Sequence, residues 1–289
     1  MELSSQRNSS DIIFVCDFYK SDLNNKGGAE NNDSVLISLL SNLGYNVVKK
    51  YCKDINLEFV EKNKDSTFII GNFISLSEDS KRVLKNSNYI IYEHDHKYLK
   101  TRDPSKFINF KAPQDQVINK DFYQNATSVI CLSNSQASSV RNNLEIDNVE
   151  SIGCSLWSSE KLDYIASISN TKKTKKCCIV NSSNPTKGTS IAQKYCDAQN
   201  IKYDLIESNN EKEFLNNLSA YETLIFIPTV LESLCRLAVE AKMLNCSLVT
   251  KPSLIGASSE DWWDLKGDDL IKKIKSKQEE AVKIFLKHL

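Results

Sequence analysis

The chain lacks any charge surplus: Lys plus Arg and Asp plus Glu each number 37 among 289 residues. That leaves no bulk electrostatic case for a nucleic-acid partner, and basic clusters such as Lys272-Lys273-Ile-Lys275 are local. No apolar run approaches the length of a membrane span. The first ten residues are polar and carry no apolar core of a signal peptide. Nine cysteines include no Cys-x-x-Cys pair, and most fall within predicted strands and helices. Adjacent Cys177 and Cys178 open a strand and read as core filling. These absences point to a reduced, cytoplasmic compartment.

Apolar residues make up 40% of the chain and charged residues 26%, the balance of a globular protein. The length suits two domains of about 140 residues each. Short apolar runs alternate with longer amphipathic stretches, the signature of βα units and parallel sheets. Strands are predicted over 12–16, 45–48, 67–70, 89–92, 128–132 and 149–152. The pattern restarts with strands over 177–180, 204–206, 223–227 and 246–250. Helices are predicted over 31–43, closed by Gly44, and over 134–144, with Ser133 as N-cap. Further helices follow over 158–168, 189–198, 211–218, 235–244 and 268–288. Two α/β halves joined by a polar linker at 170–176 predict two Rossmann-like domains facing a cleft.

Glycine and proline are scarce, with eight and five residues. Six glycines (Gly27, Gly28, Gly71, Gly153, Gly188 and Gly256) and three prolines (Pro185, Pro228 and Pro252) lie near or soon after predicted strand C-termini. Such glycines serve positive φ or close backbone approach to a ligand, so one rim is marked out. In parallel sheets, ligands sit at that rim.

Four short motifs lie on it. Gly27-Gly28-Ala29-Glu30 follows the first strand and precedes a helix; it is not G-x-G-x-x-G, so the dinucleotide fingerprint fails. Glu93-His94-Asp95-His96 closes the strand at 89–92 and holds two of three histidines. It reads either as a metal cluster or as hydrogen-bonding groups, with His94 the first choice and Asp95 and His96 the second. Asn184-Pro-Thr-Lys187-Gly188 opens a helix, where a Lys can hold a diphosphate as a point charge. Glu232-Ser-Leu-Cys-Arg-Leu-Ala-Val-Glu240 brackets a helix start whose free N–H groups suit phosphate, with carboxylates placed to accept from flanking hydroxyls. Phosphate between two polyols describes a nucleotide sugar. Arg236 at that helix start is an unfavourable cation unless an anion binds nearby. The basic, aromatic-containing stretch 97–111 is long enough for a lid or an acceptor-binding loop.

In this order, each after a strand, the motifs resemble those of retaining GT-B glycosyltransferases of the large E-x7-E (family-4-like, "group 1") family. The resemblance covers most of the chain from Gly27 onward. It implies an α/β GT-B fold with an acceptor-side domain over 1–155, a donor domain over 156–275, and a terminal helix over 276–289 crossing back to the first domain. It implies transfer of a sugar from a nucleoside-diphosphate sugar to a hydroxyl of a glycan, lipid or other acceptor, with retention and without an obligatory metal or other cofactor. Glu232 would contact the transferred sugar and Glu240 the ribose. Lys187, Gly188, Arg236 and the amides around Leu234 and Cys235 would hold the diphosphate, with Gly27 and Gly28 facing it across the cleft. His94 would be a hydrogen-bond partner of the sugar. Two departures stand out: Ser182 occupies the place of a family arginine, and Ser233 and Cys235 replace loop glycines. They keep open a non-catalytic nucleotide-sugar-binding or scaffold protein, alongside a sugar-nucleotide epimerase.

Overall fold

The computed structural model describes residues 11–22 and 27–289; the polar segment 1–10 lies outside them. The first half carries β1 (Ile12–Cys16), α1 (Gly28–Asn42), β2 (Val47–Tyr51), α2 (Leu57–Lys62), β3 (Thr67–Ile70), α3 (Glu78–Leu84), β4 (Asn88–Glu93), α4 (Lys120–Gln124), β5 (Ser128–Cys131), α5 (Asn134–Leu144) and β6 (Val149–Ser151). After α6 (Ser159–Ile168), the second half carries β7 (Lys175–Val180), α7 (Thr189–Ala198), β8 (Asp204–Ile206), α8 (Glu211–Ser219), β9 (Tyr221–Ile225), α9 (Arg236–Met243), β10 (Ser247–Val249) and α10 (Gly267–Leu286).

The strands form two sheets, ordered β2-β1-β3-β4-β5-β6 and β10-β9-β7-β8, and every pairing is parallel. Parallel strands covered on both faces read as unbroken apolar runs. Accordingly β1, β3 and β5 are buried at every position, whereas edge strand β2 has no buried residue. That is why β1 and β3 have the predicted boundaries. Edge strand β2 begins two residues later than its apolar run suggests.

The expected helices at 134–144 and 189–198 form with the same bounds. Ser133 caps α5 by accepting from the Gln136 amide at 3.2 Å. Gly44 lies just past α1 with φ +90°, the left-handed turn that releases a helix end. Helices α2, α3 and α4, of five to seven residues, are additions to the predicted set. Too short for a helical period to show, two of them are announced by side-chain caps: Asn56 accepts from Phe59 N and Ser77 from Ser80 N.

One apolar core runs through both halves, from Ile12, Tyr92 and Ile130 through Trp157 and Leu234 to Trp262 and Phe285. Helix α10 returns to the first half, as the resemblance implies. Phe285 packs edge-on against Tyr92 at 5.0 Å between ring centroids, and His288 Nε2 meets Glu150 Oε1 at 2.5 Å. Hydrogen bonds also cross the junction: Ser133 Oγ donates to Ser233 O at 2.6 Å, and Asn134 N donates to Glu260 Oε1 at 2.7 Å.

Candidate functional site

Each sheet is parallel, so its strand ends gather on one edge, and the segments after β3, β4, β5, β6, β7 and β9 open onto one space. It is a cleft of about 900 Å³, large enough for a small-molecule ligand. Of the sequence-predicted site residues, Gly27, Gly28, His94, Ser182, Lys187, Glu232, Leu234, Cys235 and Arg236 line it. Gly188 and Glu240 do not.

Lys187 is presented by a single turn, Pro185–Lys187, in which Asn184 Oδ1 accepts from Thr186 N at 3.0 Å. Gly188 follows at φ +67°, and a Cβ there would lie 1.8 Å from Ile227 O. Only glycine lets α7 start so close to the end of β9, so its role is to aim Lys187. Lys187 Nζ meets Glu232 Oε1 at 2.8 Å. Burial lowers the lysine pKa, but the Glu232 charge and hydrogen bond outweigh it and hold the ammonium above its ordinary value.

Glu232 is pinned through its backbone: its N donates to Leu254 O and its O accepts from Gly256 N, each at 2.9 Å. Helix α9 then starts from Cys235 at φ +77°, ψ +74°. This is where the resemblance expects glycine, and a side chain there carries backbone strain. Arg236, the first residue of α9, stacks 4.5 Å over Trp157 and donates to Leu156 O at 2.6 Å. Gly28 faces it across the cleft, its added Cβ falling 3.5 Å from Arg236 Cδ. The backbone φ at Gly27 is −75°, and an added Cβ at Gly27 or Gly28 would meet only the Glu30 carboxylate tip or make an ordinary contact with Arg236.

Glu240 lies one turn further along α9, 7% exposed. Its Oε1 accepts from Trp157 Nε1 and Lys161 Nζ, both at 2.7 Å, and Lys161 also pairs with Glu211 at 2.6 Å. Burial pushes its carboxyl up, but Lys161 and Arg236 with these hydrogen bonds hold it below the usual glutamate value.

On the first-half wall, His94 Nε2 meets Asp33 Oδ1 at 2.5 Å, and its Nδ1 is buried without a partner. His96 Nδ1 meets Tyr98 OH at 3.0 Å, and Tyr98 OH meets Ser139 Oγ at 2.7 Å. Burial pulls His96 down to a pKa of about 4, leaving it neutral at pH 7. Asp95 diverges from both histidines and pairs with Lys97 at 3.0 Å and with Arg102; these cations outweigh burial and hold its carboxyl below the usual range. Among the described residues no group of three or more His, Cys, Asp or Glu is placed to hold an ion.

Four buried polar atoms without partners among the described residues belong to the cleft lining: Asn72 Oδ1, His94 Nδ1, His96 Nε2 and Ser155 Oγ. Buried polar atoms are almost always hydrogen-bonded, so these are exceptions gathered around one cavity. Sequence reasoning missed Asn72 and Ser155. Each sits two residues or fewer beyond a rim glycine, Gly71 and Gly153, and that adjacency was the available signal.

Stretch 97–111 is a fixed wall rather than an open loop. Lys97, Tyr98 and Leu99 are buried, Ile118 N donates to Tyr98 O at 2.8 Å, and Asp103 Oδ1 accepts from Leu231 N of the second half at 3.3 Å. It adds Arg102 and Lys106 to the cleft. Ser182 offers no cation; its Oγ accepts from Asn184 N at 3.2 Å. The cleft wall carries Arg102, Lys106, Lys187 and Arg236 against Glu30, Asp95, Asp103 and Glu232.

No protein-family model matches the chain, and no curated protein does. Among solved structures it is similar to a glycosyltransferase from Rickettsia africae, at 14% identity over 96% of this chain and 94% of that one, with a TM-score of 0.53. It also aligns with AviGT4, a glycosyltransferase of avilamycin A biosynthesis (10% identity, 93% and 88% covered, TM-score 0.49). Anabaena HepE, solved with UDP and glucose, aligns at 13% identity over 94% and 92%, with a TM-score of 0.48. The first likeness, with the two parallel sheets of six and four strands, defines the fold class as GT-B.

Proposed function

We propose that the chain is a retaining glycosyltransferase that uses a nucleoside-diphosphate sugar without an obligatory metal. The observation that carries this reading is the convergence of Lys187, Glu232, the α9 N-terminus and the partnerless His94, His96, Asn72 and Ser155 on one cleft between two Rossmann-like halves. The donor diphosphate lies against the first amides of α9, with Lys187 and Arg236 neutralising the charge that builds as it departs. Glu232 accepts a hydrogen bond from the sugar, and His94 Nδ1 bonds it from the other wall. Glu240, which the resemblance assigns to the ribose, is caged by Trp157 and Lys161 outside the cleft lining, and a ribose contact would require its free Oε2 to turn into the cleft. The acceptor oxygen attacks the anomeric carbon from the leaving-group face as the carbon–phosphate-oxygen bond breaks, and a phosphate oxygen of the donor takes its proton. Positioning and charge stabilisation supply the catalysis.

A second reading, nucleotide-sugar binding without turnover, draws on Ser182 and on the strained Cys235 where looser, cation-bearing positions are expected.

The test is a thermal-shift panel of UDP, GDP, ADP and their common sugar conjugates on the wild type and Lys187→Ala. A ligand at 100 times its Kd stabilises the fold by about 2.7 kcal/mol, several degrees for a chain of this size. One base should give that shift and lose most of it in Lys187→Ala. No shift with any nucleotide sinks both readings; a shift with no product from any donor and acceptor favours the second.

A further inference from the structure

A second cavity, of about 480 Å³, opens beside the cleft on the first half, and Arg102 lines both. Its wall carries Lys81, Lys97, Lys100 and Arg102 with Glu78, over a floor that includes Phe73, while Glu93 and Asp95 behind the wall pair with Lys97 and Arg102. Three of these cations are held in place. Lys81 Nζ donates to Glu78 and to Asn119 at 2.6 and 2.9 Å, Lys97 pairs with buried Glu93 at 2.8 Å, and Arg102 pairs with Asp95. The ammoniums of Lys81 and Lys97 sit 5.9 and 5.1 Å from the Phe73 ring centroid. Lys100 is exposed and makes no ion pair among the described residues.

Cations pre-positioned on a rigid apolar floor lose little side-chain freedom when they close on an anion, and charge-assisted bonds to phosphate oxygens are the strong ones. We propose that this cavity binds a phosphate-type anionic group of the acceptor, leaving the hydroxyl to be glycosylated within reach of the cleft across Arg102. The acceptor role rests on the glycosyltransferase reading; the anion site itself does not. A soluble phosphate ester and a phospholipid head group share this chemistry.

The experiment titrates the wild type and Lys100→Glu with glycerol 3-phosphate by calorimetry. It also measures co-sedimentation with phosphatidylglycerol vesicles against phosphatidylcholine vesicles, while the nucleotide thermal shift is followed in both proteins. The wild type should bind one of the two probes. Lys100→Glu should weaken that binding at least roughly tenfold and leave the nucleotide shift unchanged, since Lys100 is outside the cleft. Binding of glycerol 3-phosphate identifies a soluble ester, and binding to phosphatidylglycerol vesicles alone identifies a head group. Failure of both probes, or equal binding by Lys100→Glu, overturns the proposal. Anion binding without any nucleotide shift removes the acceptor role and the glycosyltransferase reading while the anion site stands.

Discussion

Glu232 and Glu240 stand at the two ends of one nine-residue segment, and the chain treats them in opposite ways. Glu232 sits on the loop before α9, in the cleft, held by a half-exposed Lys187. Glu240 sits inside the helix, away from the cleft lining, and its carboxylate joins three parts of the molecule: Trp157 at the domain junction, Lys161 on α6 and, through Lys161, Glu211 on α8. Spacing places both on the same side of a helix start. Access is decided by Trp157 and Lys161, some 80 residues earlier in sequence. Two acids of one motif thus divide into a group free to meet a ligand and a group that also braces the fold.

This contrast can be broken most sharply at Glu232. Glu232→Ala should slow release of nucleoside diphosphate from the donor that the thermal-shift panel identifies by roughly 10²–10³-fold, with the melting temperature close to wild type because Lys187 can turn to water. A variant that melts well below wild type would place Glu232 with the bracing groups.

The reciprocal change, Glu240→Ala, leaves Lys161 with Glu211 as its one remaining carboxylate, takes the nearby carboxylate from buried Arg236 and leaves Trp157 Nε1 without its acceptor. Removing one partner of a buried pair costs about 3 kcal/mol, or roughly 6–10 °C in Tm, readable by calorimetry without ligand. An unchanged Tm would show that the Trp157–Lys161 cage carries no stability.

The smallest effect sharpens a parallel contrast between the two histidines, one facing Asp33 and the other a neutral tyrosine. His96 is depressed to about 4 from the usual 6.5 of an unfolded histidine. Below pH 6.5 the unfolded chain takes up a proton that the folded chain refuses, so stability is full at neutral pH and falls as pH drops towards 4. Between pH 7 and 5 the His96 share of that loss is about 2 kcal/mol. The difference in unfolding free energy between wild type and His96→Gln should therefore narrow across this range; a pH-independent difference would mean that His96 is not held neutral.

Much of the fold was legible. Runs such as 12–16, and 67–70 after its opening Thr67, announced parallel strands because burial on both faces leaves few polar positions in them. Caps such as Ser133 announced helix starts because the hydrogen bond is local. Most of the rim was legible too, since Gly188 is required by backbone contact next to Lys187. How stretch 97–111 is anchored was not legible, because its anchors, Asp103 to Leu231 N and Tyr98 to Ser139, come from segments far along the chain.

The chain order and residue types by themselves determined the two α/β halves, the shared direction of their strands and the rim that carries Lys187, Glu232 and His94. These follow from periodicity, caps and turns, which act over a few residues. Tertiary structure alone decided which polar atoms stay partnerless in the cleft, that Glu240 is caged, that Cys235 bears a left-handed backbone, and that Lys81 and Lys97 meet over Phe73. Each depends on which distant side chain arrives within about 3–6 Å, a distance set by packing.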